Sequence, residues 1–127
     1  MGKSLLLALG MTVAIFMANG SALAAGDAAK GAKVFKKCKA CHTVKMGKHK
    51  IGPSLAGVVG RKAGAAAGFK RYRGLKAADW SWDEKTLNEW LADPKKFAKK
   101  RNRKSGMVFK LKKAADRENV IAYMKTK

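Results

Sequence analysis

Apolar positions run together near the start of the chain and turn periodic further on. Leu5 to Ala18 is an uncharged, mostly apolar run. From Asp27 to Lys37 apolar residues recur at three- and four-residue spacing, with Ala28, Ala32 or Gly31, and Phe35 on one face. That period predicts an amphipathic helix, for which Asp27 is a suitable cap. Thr43 to Lys76 is punctuated by glycines and Pro53 and sustains no strand alternation. It predicts long loops folded over something, since long loops in compact domains are usually functional. Helical text resumes at Ser81 or Asp83, where Asp83 and Glu84 precede a stripe of Leu87, Trp90 and Leu91. Pro94 closes that helix or opens a short one holding Phe97, and a last helix is predicted from about Asp116 to Lys125. The pattern is all-α, three to five helices joined by long loops.

The amino-terminal run changes the domain count. Lys3 precedes it, and Ala22-Leu23-Ala24 offers the small-x-small pattern of a signal peptidase site. Residues 1–24 are expected to be a signal peptide, cleaved after Ala24 or Ala25. The other reading is an uncleaved anchor, although the run falls short of the roughly 20 apolar residues that span a bilayer. Residues 25–127 then form one small domain.

Charge narrows the partners. The chain carries 29 Lys and Arg against 8 Asp and Glu, a formal +21. Such a field selects anionic partners. Export and the absence of a recognised nucleic-acid-binding motif argue against nucleic acid.

The chemistry is concentrated in Cys38-Lys39-Ala40-Cys41-His42, the Cys-x-x-Cys-His pattern of c-type haem attachment. Two thiols one helical turn apart can add across the two vinyl groups of a porphyrin. The following imidazole then meets the iron from the same side, at high effective concentration. A thioredoxin-like pair would need alternating strands and helices, which the text does not show. A zinc site would need a second ligand pair at usable spacing, and these are the only two cysteines. A covalently held haem would also supply the apolar body that a small disulfide-free core lacks.

Several further stretches, in order, resemble the class I cytochromes c, the small soluble type of mitochondria and many bacteria. Gly31 and Phe35 resemble the family's first helix, and Gly52-Pro53-Ser54-Leu55 its Gly-Pro-x-Leu loop. Gly60-Arg61-Lys62-Ala63-Gly64 is similar to its Gly-Arg-Lys-x-Gly run. Trp82, Leu87 to Leu91 and Asp93 to Phe97 resemble the helix and turn before the distal loop. Ser105 to Phe109 resembles the methionine loop, and Asp116 to Tyr123 the closing helix. The resemblance covers essentially the whole expected domain and implies the cytochrome c fold around one haem c, attached through Cys38 and Cys41. It implies His42 as proximal and Met107 as distal iron ligand, with the Pro53 carbonyl accepting from the far nitrogen of His42. It implies that Arg61, Trp82 and a tyrosine, Tyr72, bond the haem propionates, with Arg71 as the alternative to Tyr72. It also implies that Gly31 and Phe35 cross Val120 and Tyr123. Two departures stand out: the stretch from Ala98 to Lys104 is longer than usual, and it lacks the customary proline and glycine.

Met107 is also favoured among Met46, Met107 and Met124 on physical grounds. Met46 lies four residues past His42, on the side that ligand occupies, and Met124 sits among apolar neighbours where methionine ordinarily fills gaps. Met107 alone is in a loop that can reach the opposite face. His49 is expected to be a solvated loop residue rather than a second imidazole ligand.

With both axial positions filled, the site has no open coordination for a substrate. The expected function is one-electron carriage in the periplasm, and the chain is not expected to be an enzyme. Ten basic residues and no acidic one lie between Lys95 and Lys113, and Lys36, Lys37, Lys39, Lys45 and Lys48 surround the cysteine motif. They suit docking on acidic-faced redox proteins: a membrane cytochrome complex, oxidase, reaction centre, peroxidase or dehydrogenase. The bland reading of such a run is a solvated face. A weak peripheral contact with anionic membrane is compatible with the charge, and the expected state is monomeric. Two other functions remain open at this level: a basic haem protein held on anionic surfaces, and a peroxidase-like enzyme should Met107 be labile.

Overall fold

The computed structural model describes residues 25–127, so the expected leader lies outside the described residues. Four helices follow in chain order: α1 Ala28–Phe35, α2 Glu84–Ala92, α3 Pro94–Lys99 and α4 Ala114–Met124. Among the described residues the only strand-like pairing is one antiparallel bridge between Lys62 and Ser81. The fold is all-α, as the hydrophobic pattern predicts.

Each helix begins for a local reason. Asp27 accepts the Lys30 N–H at 3.0 Å and so caps α1. Asp83 and Thr86 form a reciprocal capping box at α2, in which the Thr86 N–H donates to Asp83 at 2.7 Å and the Asp83 N–H to Thr86 at 2.9 Å. Asp93 ends α2 and caps α3, where Pro94 in the first turn loses no helical hydrogen bond. Helix α4 starts two residues before the expected Asp116 and has no side-chain cap. Arg117 holds it instead, donating to Asn88 of α2 at 2.6 Å and to the carbonyls of Leu111 and Lys112 at 2.8 and 2.7 Å.

Helix α1 stops at Phe35 rather than running to Lys37. Tighter i to i+3 turns take over, with the Lys37 and Cys38 amides donating to the Val34 and Phe35 carbonyls. That change of pitch delivers the cysteine motif from the helix end.

The frame is the crossing of α1 on α4. A Cβ at Gly31 would collide with the Asn119 carbonyl, so only glycine lets the backbones approach this closely. Phe35 packs on Tyr123 with centroids 5.2 Å apart, and Phe35 and Val120 are almost wholly buried. A second nucleus gathers Trp80, Trp82, Trp90 and Phe97, with ring centroids 5.2 to 5.9 Å apart. The bridge at Lys62 feeds it: the Trp82 N–H donates to the Arg61 carbonyl at 2.8 Å and the Ala63 N–H to Trp80 at 2.9 Å. The intervening loops have one side on this core, as their glycine-rich text predicts.

Candidate haem site

Cys38, Cys41 and His42 lie on a single turn, because the Cys41 and His42 amides both donate to the Cys38 carbonyl, at 3.1 and 2.9 Å. Both thiols are free and partly buried, and burial pushes the Cys38 thiol up, with Lys37 opposing. The loop carrying Pro53 is pinned beside this turn by the Gly52 amide on the Cys41 carbonyl and the Leu55 amide on the Thr43 carbonyl, each at 2.8 Å.

Those two bonds set the state of His42. Its Nδ1 lies 2.7 Å from the Pro53 carbonyl oxygen. A carbonyl only accepts, so Nδ1 carries the proton and Nε2 keeps its lone pair for a metal. Burial lowers the His42 pKa, the Pro53 bond opposes that, and the nearby Arg61 charge lowers it further. The Gly52 Cα lies so near the imidazole that any side chain there would strike the ring.

Of the three expected propionate partners, Arg61 and Tyr72 keep a donor in reserve, and Trp82 does not show one. Arg61 spends its two terminal nitrogens on the Ala56 and Ser54 carbonyls at 3.1 Å each, while its Nε is buried without a partner. Tyr72 accepts the Ala66 N–H at 2.9 Å, which leaves its own hydroxyl proton to donate. Arg71, the alternative to Tyr72, is committed elsewhere, donating to the Lys50 carbonyl at 2.6 Å. Pro53 is already engaged with His42. Trp82 is buried against Trp80, Trp90 and Phe97. The unpartnered buried indole nitrogen belongs instead to Trp80, which the sequence reading missed. Its one signal was position: Trp80 and Trp82 are two apart on an extended piece, so both side chains fall on one side.

Met107 is half-buried against the same core, in a turn closed by Ser105, whose hydroxyl donates to the Met107 carbonyl at 2.7 Å and accepts its amide at 3.1 Å. Met46 is 77% exposed and Met124 only 4%. His49 departs from the expectation of a solvated residue. It accepts the Ser54 N–H on Nδ1 at 2.9 Å and donates from Nε2 to the Ala67 carbonyl at 2.8 Å. With both nitrogens occupied, it staples two loops together.

A turn with two thiols and an oriented imidazole, on an all-α frame with long loops, defines a protein built to hold a haem covalently. The family profile described as Cytochrome c matches residues 28–127. A cytochrome c2 of Rhodospirillum rubrum is 44% identical over 128 residues, covering 94% of this chain and 95% of its own. The solved cytochrome cH of Methylobacterium extorquens has 44% identity and a TM-score of 0.71, over 80% of this chain and 100% of that one. The cytochrome c2 structure from Rhodobacter sphaeroides gives 41% identity and 0.72, over 80% and 95%. The chain belongs to the cytochrome c family, in its class I. It is an electron-carrying protein with one haem c, for which Cys38 and Cys41 are the thiols. The residues present suit that group. Free thiols stand beside an unprotonated ring nitrogen, and the orphaned donors Arg61 Nε and Trp80 Nε1 call for an acceptor such as a carboxylate.

Proposed function

We propose that the protein is a periplasmic one-electron carrier in which His42 and Met107 would hold the haem iron, docking on acidic-faced redox proteins. The observation that carries this reading is His42 itself. It follows the second cysteine directly, is held by the Pro53 carbonyl, and has Nε2 free. When bound, haem c supplies a one-electron change between ferrous and ferric iron.

The rest falls to this chain's side chains. His42, made more basic by its bond to Pro53, would ligate the iron through Nε2. Met107 would offer it a soft neutral thioether, which would favour the ferrous state and raise the potential. Arg61 and Tyr72 would bond the propionates, with the unpartnered Trp80 indole in the place the resemblance gives Trp82. The exposed lysines of the Lys95–Lys113 stretch and the cysteine motif would face the partner. The leader-like text at 1–24 supports export. No described helix is long and apolar enough to cross a membrane.

The test is the spectrum of protein recovered from the periplasm. It should begin at Ala25 or Gly26, carry one haem's extra mass, and show a methionine-to-iron charge-transfer band. Met107→Ala should abolish the band and let imidazole bind, while Met46→Ala should leave it intact. The reverse pattern would move the distal ligand to Met46.

A further inference from the structure

The unusual stretch after α3 is built into the molecule rather than looping free. The Arg101 and Arg103 amides both donate to the Ala98 carbonyl at 2.9 Å, and the Asn102 amide to Lys99 at 3.1 Å, closing the end of α3. The Arg101 guanidinium lies over the Phe97 ring, 3.6 Å from its centroid, and 5.4 Å from that of Trp80. Arg103 reaches the other way. One of its terminal nitrogens donates to the carbonyls of Gly74 and Lys76 at 3.2 and 3.0 Å, and the other to Ala77 at 2.9 Å.

Two further contacts run alongside. A Cβ at Gly74 would stand only 2.5 Å from the Lys104 carbonyl oxygen, and one at Gly106 would stand 3.3 Å from the Arg73 side chain. Among the described residues only Ala77 and Asn102 are non-glycine residues with positive φ, at 56° and 54°. Such backbone is strained and persists only where its surroundings hold it. Here one strained residue bonds the Arg103 fork and the other adjoins it.

We propose that Arg103 is a positioning residue for Met107, latching the methionine loop to residues 73–77. The guanidinium is a single fixed fork that satisfies three carbonyls of a turn. Three residues separate Arg103 from Met107; of these, Ser105 is bonded to the Met107 backbone and Gly106 lies beside the Arg73 side chain. With the latch closed, the segment that carries Met107 would be held in place and would resist displacement by an added ligand. The inference rests on Met107 as distal ligand, and its test separates the two.

Holoprotein of wild type, Arg103→Ala, Arg103→Lys and Lys100→Ala would be titrated with imidazole. Amide exchange over 73–77 and 101–107 would be followed by mass spectrometry. Charge-assisted hydrogen bonds of this kind predict that Arg103→Ala lowers the imidazole concentration for half-loss of the methionine band by about tenfold. It should also speed exchange in both segments. Arg103→Lys, which keeps the charge and loses the fork, should fall between. Lys100→Ala, which removes the same charge from the same loop, should match wild type. A purely structural role would shift the denaturant midpoint and leave the imidazole midpoint and loop exchange unchanged, which would overturn the latch. Equal effects from Lys100→Ala would overturn it too. A wild-type spectrum without the methionine band would overturn the ligand assignment, and the exchange arm would then judge the tether alone. If Arg103→Ala fails to mature, Arg103→Lys against Lys100→Ala decides.

Discussion

Gly31 shows how a close contact can outweigh propensity. In an isolated helix, alanine would be favoured at this position by up to about 1 kcal/mol. Against α4 a methyl group would collide with the Asn119 carbonyl, and forced overpacking typically costs about 1–3 kcal/mol. The backbone obstacle cannot rotate away, so the steric cost should win. Gly31→Ala is therefore expected to lower stability by about 1–2 kcal/mol net, read as a drop in the denaturant midpoint at constant slope. An unchanged or raised midpoint would mean that α1 can slide on α4. This position was legible in the sequence because glycine inside an amphipathic helix is an anomaly that needs a neighbour. Trp80 and His49 were not legible. The roles of their ring nitrogens depend on what lies opposite, and neither orphaning at Trp80 nor double occupation at His49 leaves a mark on spacing.

At the level of elements, three aspartates bear the helix starts, and their chemistry predicts an acid limb. The Lys30 amide lowers the Asp27 pKa, the Thr86 amide and hydroxyl lower that of Asp83, and the Lys110 ammonium and Lys96 amide lower that of Asp93. A carboxyl depressed below its ordinary 3.8 binds fewer protons when folded than when unfolded. Its contribution is thus complete above pH 3.8 and is lost as pH falls through the depressed folded value. Asparagine caps about as well as aspartate but does not titrate. The pair Asp83→Asn and Asp93→Asn should flatten the fall of stability below pH 3.8 and leave neutral stability nearly unchanged, as measured by unfolding across a pH series. The same slope in both proteins would show that other groups govern the acid limb. Asp83→Ala should by contrast cost about 1 kcal/mol at neutral pH. Helix starts were legible because aspartates stand one residue ahead of α1, α2 and α3. The start of α4 was displaced because no side chain caps it, and Arg117 docks it from within. The path after α3 was equally hidden, since a run of lysines and arginines looks like solvated surface until Arg101 meets Phe97.

For the molecule as a whole, charge is the most extreme property, and the fold leaves most of it outward. Lys36, Lys95, Lys96 and Lys104 are exposed. Of the ten basic residues between Lys95 and Lys113, Lys110 is neutralised by Asp93 at 2.6 Å and Arg101 lies 4.0 Å from Glu89. Most of the stretch is left to act on a partner at a distance. The Debye length shrinks from about 30 Å at 0.01 M salt to about 10 Å at 0.1 M, so steered encounter should weaken across that range. The second-order electron-transfer rate with an acidic partner is therefore expected to fall steeply with ionic strength, mainly through association. Charge reversal at Lys36, Lys95, Lys96 or Lys104 should slow it while leaving spectrum and potential nearly constant. Lys125→Glu changes the net charge equally from outside that stretch, at a residue already paired with Glu84, and should do less. Stopped-flow rates over a salt series decide between docking surface and solvated face. Rates indifferent to salt, or equal losses wherever the lysine lies, would make the basic stretch a solvated face alone.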